Sequence, residues 1–304
     1  MKAILFVGLT IAASWLLVGL YFVCGGTWTM PGALILSVIY MFVPMTIAII
    51  VQKLLYHSSI SELGIAFRLN RWFVVAWLLP PTLAIATIPV SLIIPGVSFT
   101  SDPMALLDRF ETGLSQEEIE QMRAQVAAIP VHPFWLGLLQ GLIAGITVNA
   151  LAAFGEELGW RGLLQKELAW MGFWRSSLLI GLIWGIWHAP LILQGHNYPQ
   201  HPWAGVGMMT AFCMLLSPVM SYIRLRAHSV IAAAVFHGTL NGTAGLALMA
   251  LYGGNDLTVG LTGLAGFVVL GVVNLGLLWA VHAQQPEDST LTVCLRPAPE
   301  RHEE

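Results

Sequence analysis

The chain of 304 residues is 57% hydrophobic and only 10% charged, whereas a soluble domain carries roughly a quarter charged residues. An apolar surplus of this size excludes a soluble globular protein and calls for lipid as solvent. The formal net charge of −3 with no Lys/Arg cluster excludes nucleic acid as a partner, and three scattered cysteines, Cys24, Cys213 and Cys294, support neither a disulfide framework nor a cysteine metal site.

Eight segments reach the roughly 20 apolar residues needed to span a bilayer. They are expected at about 4–24, 31–51, 73–95, 137–164, 176–194, 203–222, 229–251 and 257–282. Each is expected to be helical, because lipid offers no partner to an unpaired backbone group. The fold expected is therefore an all-α polytopic membrane bundle of about eight transmembrane helices. The first segment follows Lys2 and resembles a signal peptide. Its length, Trp15, Tyr21 and the lack of a small-residue cleavage site favour a retained helix.

Basic residues fall in alternate loops. Lys53, Arg68 and Arg71 follow the second segment, Lys166 and Arg175 the fourth, and Arg224 and Arg226 the sixth, while 25–30, 195–202 and 252–256 have none. The basic loops and both termini are then cytoplasmic in a cell membrane. Between the third and fourth segments, about 98–133 is rich in Asp and Glu and reads as external. Ser115 and Glu118 make a capping-box pattern there, and Ile119, Met122, Val126 and Ile129 recur at helical spacing, which predicts an interfacial amphipathic helix, with gating of substrate entry as one role open to it beside a merely structural one. The polar, Pro-containing stretch after His282 is expected to be a disordered tail. The domains expected are 1–136, N-terminal transmembrane helices with the external segment; 137–282, a helix bundle carrying the site; and 283–304, the cytoplasmic tail.

Only three charged side chains lie within the eight segments: Glu156, Glu157 and Arg161, in FGEELGWRGLLQ. Each costs about 2.5–3.5 kcal/mol at the bilayer centre on insertion scales, so all must be paired, hydrated or turned inward. Glu157 and Arg161 are one helical turn apart and can pair, and such a pair has a purely structural reading. Glu156 is displaced by about 100° and is left to meet neighbouring helices. A turn near Met171 and Gly172 places His188, one turn after Trp184, level with Glu156 in an antiparallel hairpin. His237 and Asn241, one turn apart in FHGTLN, lie at a comparable depth, with His237 roughly 16 Å in from Arg226. Gly137, Gly141 and Gly145, Gly181 and Gly185, and Gly238 and Gly242 repeat at four-residue spacing and predict close helix packing.

A carboxylate beside an imidazole in a cavity with few waters can activate water as a general base. His188 would share the proton and return it to a leaving amine, while His237 and Asn241 could stabilise an oxyanion. Zinc held by Glu156, His188 and His237 is the rival arrangement, since these are also metal ligands. The HExxH helix that would make zinc the default is missing, so no cofactor is assigned. His196 and His201, in the outer loop GHNYPQHP, read as part of a wet turn.

These residues resemble the CPBP intramembrane peptidases, which include CAAX prenyl endopeptidases and bacterial self-immunity relatives. The resemblance rests on Glu156-Glu157 with Arg161, Trp184 with His188, and His237 with Asn241, in that order over about 137–245. Glu62-Leu63-Gly64-Ile65 looks like the family's linker, and Trp184 stands where the family usually has Phe. The resemblance implies that Glu156 and His188 activate water, His237 and Asn241 form the oxyanion site, and Glu157 and Arg161 organise the helix. The family is similar to a glutamate-type protease in one mechanistic reading and to a metalloprotease in older ones. The function expected is an endopeptidase acting on a membrane-associated or lipidated peptide or protein at the lipid bilayer. The alternatives are a non-catalytic membrane scaffold or bacteriocin-immunity protein, and a transporter, against which the lack of paired broken helices or an inverted repeat speaks.

Overall fold

The computed structural model describes residues 1–102, 116–127 and 130–283. Helices dominate: α1 Lys2–Val23, α2 Gly32–Ile49 with a wide turn Ile50–Leu55, α3 Arg71–Ser91, α4 Gln116–Ala127, α5 Pro133–Gly145 and α6 Val148–Glu157. A wide turn Leu158–Leu164 leads to α7 Gln165–Glu167. Then come α8 Phe173–Trp187, α9 Ala189–Ile192, α10 Pro202–Ala227, α11 Val230–Thr243 and α12 Leu264–Ala283. The two short strands, β1 Ser98–Phe99 and β2 Leu251–Tyr252, pair antiparallel.

Among the described residues, six helices are long and apolar enough to cross a membrane, and seven if a bent pair counts as one span. The chain is thus an all-α polytopic bundle, and two of the eight expected spans take a different form. The fourth is broken: α5 and the helix running on from Val148 to Glu167 meet at 55°. Thr147 at the break has left helical backbone angles (φ −124°, ψ −108°). The fifth, α8, has 15 residues and reaches about 22 Å, short of the roughly 30 Å of hydrocarbon. Pro190 lacks the N–H that would carry the helix on past His188.

The glycine spacing has two outcomes. On α5, a Cβ at Gly141 would lie 2.4 Å from the Gly242 carbonyl oxygen, and one at Gly145 would meet Thr239, so α5 and α11 are in backbone contact. Gly238 abuts Ala150 and Asn149 of α6 in the same way, and the Asn149 amide donates to the Gly238 carbonyl at 3.2 Å. Gly181 and Gly185 instead face Cys213, Met214 and Thr210 of α10, so α8 packs on α10. One apolar cluster runs through the bundle from Phe6 to Leu270.

Basic residues collect at one end. Lys2, although nearly buried, bonds Gln52 and lies 3.5 Å from Glu167, and Lys166 bonds Glu62 at 2.5 Å. Arg224 donates to the Arg161 carbonyl at 3.2 Å and packs over Gly64, whose left-handed φ of 80° ends the linker's helical turn. The linker is fastened by the Val230 N–H, which donates to the Gly64 carbonyl at 2.9 Å, and by the Ser229 hydroxyl, which donates to that of Ala66. At the other end, β1 pairs with β2, and Asp256 accepts from the Gln200 and His201 amides at 2.8 and 3.2 Å. A helix, α4, stands in the segment where the amphipathic one is expected, with Ile119 buried and Met122 half-buried. The expected Ser115 cap, Ile129 and the tail from 284 onward lie outside the described residues.

Candidate active site

The residues singled out in the sequence come together. Glu156 of α6, His188 at the end of α8, and His237 and Asn241 of α11 all line one partly open cavity of about 260 Å³. Glu156 is 2% exposed and His237 4% exposed, so neither faces lipid. His188 is half-buried, and Asn241 is exposed at the cavity. The remaining wall is mixed: Met41, Leu191, Met209 and Phe212 are apolar, while Ser37, Tyr40, Asn197 and Thr262 are polar.

Hydrogen bonds define what each group has left to offer. Glu156 Oε2 accepts from the Trp184 indole N–H at 2.7 Å. That is a neutral donor, so the bond holds the carboxylate in place without neutralising it. His188 Nδ1 lies 2.8 Å from the Trp184 carbonyl oxygen. A carbonyl only accepts, so Nδ1 carries the proton, and Nε2 of the neutral ring has a free lone pair. The same logic applies to His237: Nδ1 donates to Glu157 Oε1 at 2.8 Å, which leaves Nε2.

Glu157 forms the expected pair with Arg161 at 3.1 Å, both side chains fully buried. It does more than the helical spacing predicts, because the oxygen that accepts from Arg161 also accepts from His237 on α11. Both carboxylates therefore reach neighbouring helices, and the expectation that only Glu156 does so is corrected. The wide turn Leu158–Leu164 begins just after Glu157 and carries Arg161 within it. The Arg161 guanidinium also lies 4.5 Å from the Trp184 ring, a cation–π contact. Trp184 thus meets Arg161 with its face, Glu156 with its N–H and His188 with its carbonyl. The larger indole supplies a donor that a Phe at this position would lack.

Among the described residues no group of three His, Cys, Asp or Glu side chains has the arrangement to hold a metal ion. Glu156, His188 and His237 share a cavity without forming a ready ligand set, and both Nδ1 atoms are engaged by protein oxygens.

Sequence reasoning missed Tyr40 and read His196 as part of a wet outer turn, whereas it lines the cavity. Tyr40 is fully buried on α2, lines the cavity and donates to the Trp187 carbonyl at 2.5 Å. One tyrosine in an apolar helix carries no positional signal. His196 lines the cavity from the outer loop, its ring edge-to-face with Trp28 at 5.9 Å, and burial pushes its imidazole down to about 4. His201 stays outside, its Nδ1 2.6 Å from Asp256.

Residues 131–243, which hold all six sequence-identified site residues, match the family described as type II CAAX prenyl endopeptidase Rce1-like. That match supports the resemblance of these residues to the CPBP family. The chain is also similar to a protein of Methanococcus maripaludis named CAAX prenyl protease 2, with 32% identity over 98 residues, 30% of this chain and 36% of that protein. The chain therefore spans about a third of the length of the curated relative it matches. The matched segment supplies α5 to α11, whereas Tyr40 and the linker at Glu62–Gly64 lie before it.

Proposed function

We propose that the chain is an intramembrane endopeptidase that hydrolyses a peptide bond of a membrane-associated protein or peptide. The observation that carries this reading is the meeting of Glu156, His188, His237 and Asn241 at one cavity inside a bundle of membrane-spanning helices. Buried ionisable groups at membrane depth are costly and mark function by default. In this reading Glu156 Oε1 takes a proton from water as the oxygen attacks the scissile carbonyl carbon. His188 Nε2 shares that proton and returns it to the leaving amine as the C–N bond breaks. The Asn241 amide, engaged in no hydrogen bond among the described residues, donates to the oxyanion. His237 joins it through Nε2–H when the ring carries a second proton, with Glu157 and Arg161 fixing the ring from behind. No step needs a metal.

The relative's name supports a peptide ending in a CAAX-type, prenylated motif as substrate, and the apolar wall of Met41, Leu191, Met209 and Phe212 suits a substrate with an apolar flank. The test is purified protein in lipid vesicles with a farnesylated CAAX peptide and its unprenylated counterpart. Wild type should cleave the first, and Glu156→Gln, which keeps an acceptor for Trp184, should lose activity by a factor on the order of 10²–10⁴. Undiminished cleavage by Glu156→Gln would reject the role of Glu156. Equal cleavage of both peptides would reject prenyl selectivity alone.

A further inference from the structure

His188 sits at the broken end of a helix inside the bundle, and what holds that end comes from outside the family-matched segment. Backbone carbonyls at a helix C-terminus have no helical partner, and at membrane depth water does not readily supply one. Here Pro190 cannot donate, the His188 N–H turns to the Gly185 carbonyl at 3.1 Å, and the Leu191 and Ile192 N–H groups both go to the His188 carbonyl at 3.0 and 3.1 Å. The Trp187 carbonyl is therefore passed over by its own chain segment. It is claimed instead by the Tyr40 hydroxyl of α2 at 2.5 Å and by the Trp15 indole N–H of α1 at 3.4 Å. The Trp187 side chain is fixed by the same two helices: its N–H donates to the Ser14 hydroxyl at 2.7 Å, and its ring lies 4.3 Å from that of Tyr40.

We propose that Tyr40, assisted by Trp15, is a positioning residue for His188, setting the height and direction of the imidazole by holding the carbonyl of the preceding residue. The proposal rests on the peptidase reading above only for its kinetic consequence. His188 is braced twice, through its ring Nδ1 on the Trp184 carbonyl of its own helix and through the Trp187 carbonyl from α1 and α2. The first two helices thereby become part of the site instead of a membrane anchor for it.

The experiment uses the full chain in lipid nanodiscs, comparing wild type, Tyr40→Phe and Trp15→Phe. Nitrogen-15 histidine NMR, with the His188 signals assigned by their loss in His188→Asn, reads the tautomer of the ring. Kinetics use the farnesylated peptide. Wild type should show one Nδ1–H tautomer. Tyr40→Phe should show averaged tautomers and a kcat about tenfold lower with KM within about twofold, because displacing a catalytic group costs turnover more than binding. Trp15→Phe should move both readouts in the same direction by less, and it carries the test if Tyr40→Phe does not fold. Unchanged His188 signals together with unchanged kcat in the folded variants would overturn the proposal. So would a loss of activity matched by a loss of folded protein while the His188 signals stay as in wild type. If wild type cleaves no peptide, the peptidase reading fails, and the His188 signals still decide whether the brace exists.

Discussion

Replacing Glu157 by Gln should damage stability and activity by separable routes. Glu157 and Arg161 are both fully buried, 3.1 Å apart, and Arg161 Nε and Nη2 have no hydrogen-bond partner among the described residues. Glutamine keeps the shape and an acceptor oxygen but removes the charge, and leaves the guanidinium uncompensated apart from the Trp184 ring. Breaking a buried ion pair from one side costs about 3–5 kcal/mol, which lowers the thermal midpoint by on the order of 10 °C in a chain of this size. Adding Arg161→Met removes the stranded charge at similar volume, and the Glu157→Gln/Arg161→Met protein should regain most of that loss. Cleavage should not return in proportion, because His237 still lacks the carboxylate that receives its Nδ1–H. The assay is thermal unfolding of wild type, Glu157→Gln and the double variant in one detergent, paired with peptide cleavage at a temperature where all are folded. A double variant no more stable than Glu157→Gln would refute the buried-charge argument. One recovering full cleavage would refute the role of Glu157 in holding His237.

Further outcomes follow from single contacts. Asn241→Ala should lower kcat by about 10²–10³ with little change in unfolding temperature, since the side chain is exposed; a purely structural role would reverse that order. Gly238→Ala places a methyl 2.5 Å from the Ala150 amide nitrogen. It should cost about 1–3 kcal/mol by forcing α11 from α6, read by thermal unfolding. His196 has a folded-state pKa of about 4 against 6.5 for the free side chain. The unfolded chain therefore binds the extra proton across that window, and stability falls as pH drops from about 6.5 to about 4. His196→Gln should flatten this acid-side slope in unfolding curves collected between pH 7 and 4.

Spacing arithmetic carried far in this chain. An i, i+4 separation identified the Glu157–Arg161 pair, and counting from the Met171–Gly172 turn placed His188 level with Glu156. Both survive because helical rise is nearly invariant over short stretches. What spacing missed are departures from the helix. The break at Thr147 and the wide turn Leu158–Leu164 leave the regular helix, and the reach of Glu157 to His237 is a contact between helices that spacing along one helix does not report. The short reach of α8 was hidden because Leu191–Ile192–Leu193 continue the apolar run past Pro190. Partners such as Tyr40 depend on long-range packing, 147 residues from the carbonyl they bind.

The early ending of α8 also shapes the membrane around it. A rod of about 22 Å in a hydrocarbon slab of about 30 Å leaves a gap that lipid tails would otherwise fill. Here loop residues His196 and Asn197, with Thr262, line the cavity beside that end. The solvent boundary on that flank is thus drawn inward by the protein's own backbone. On that flank the wall of the site is loop, where elsewhere it is mostly helix.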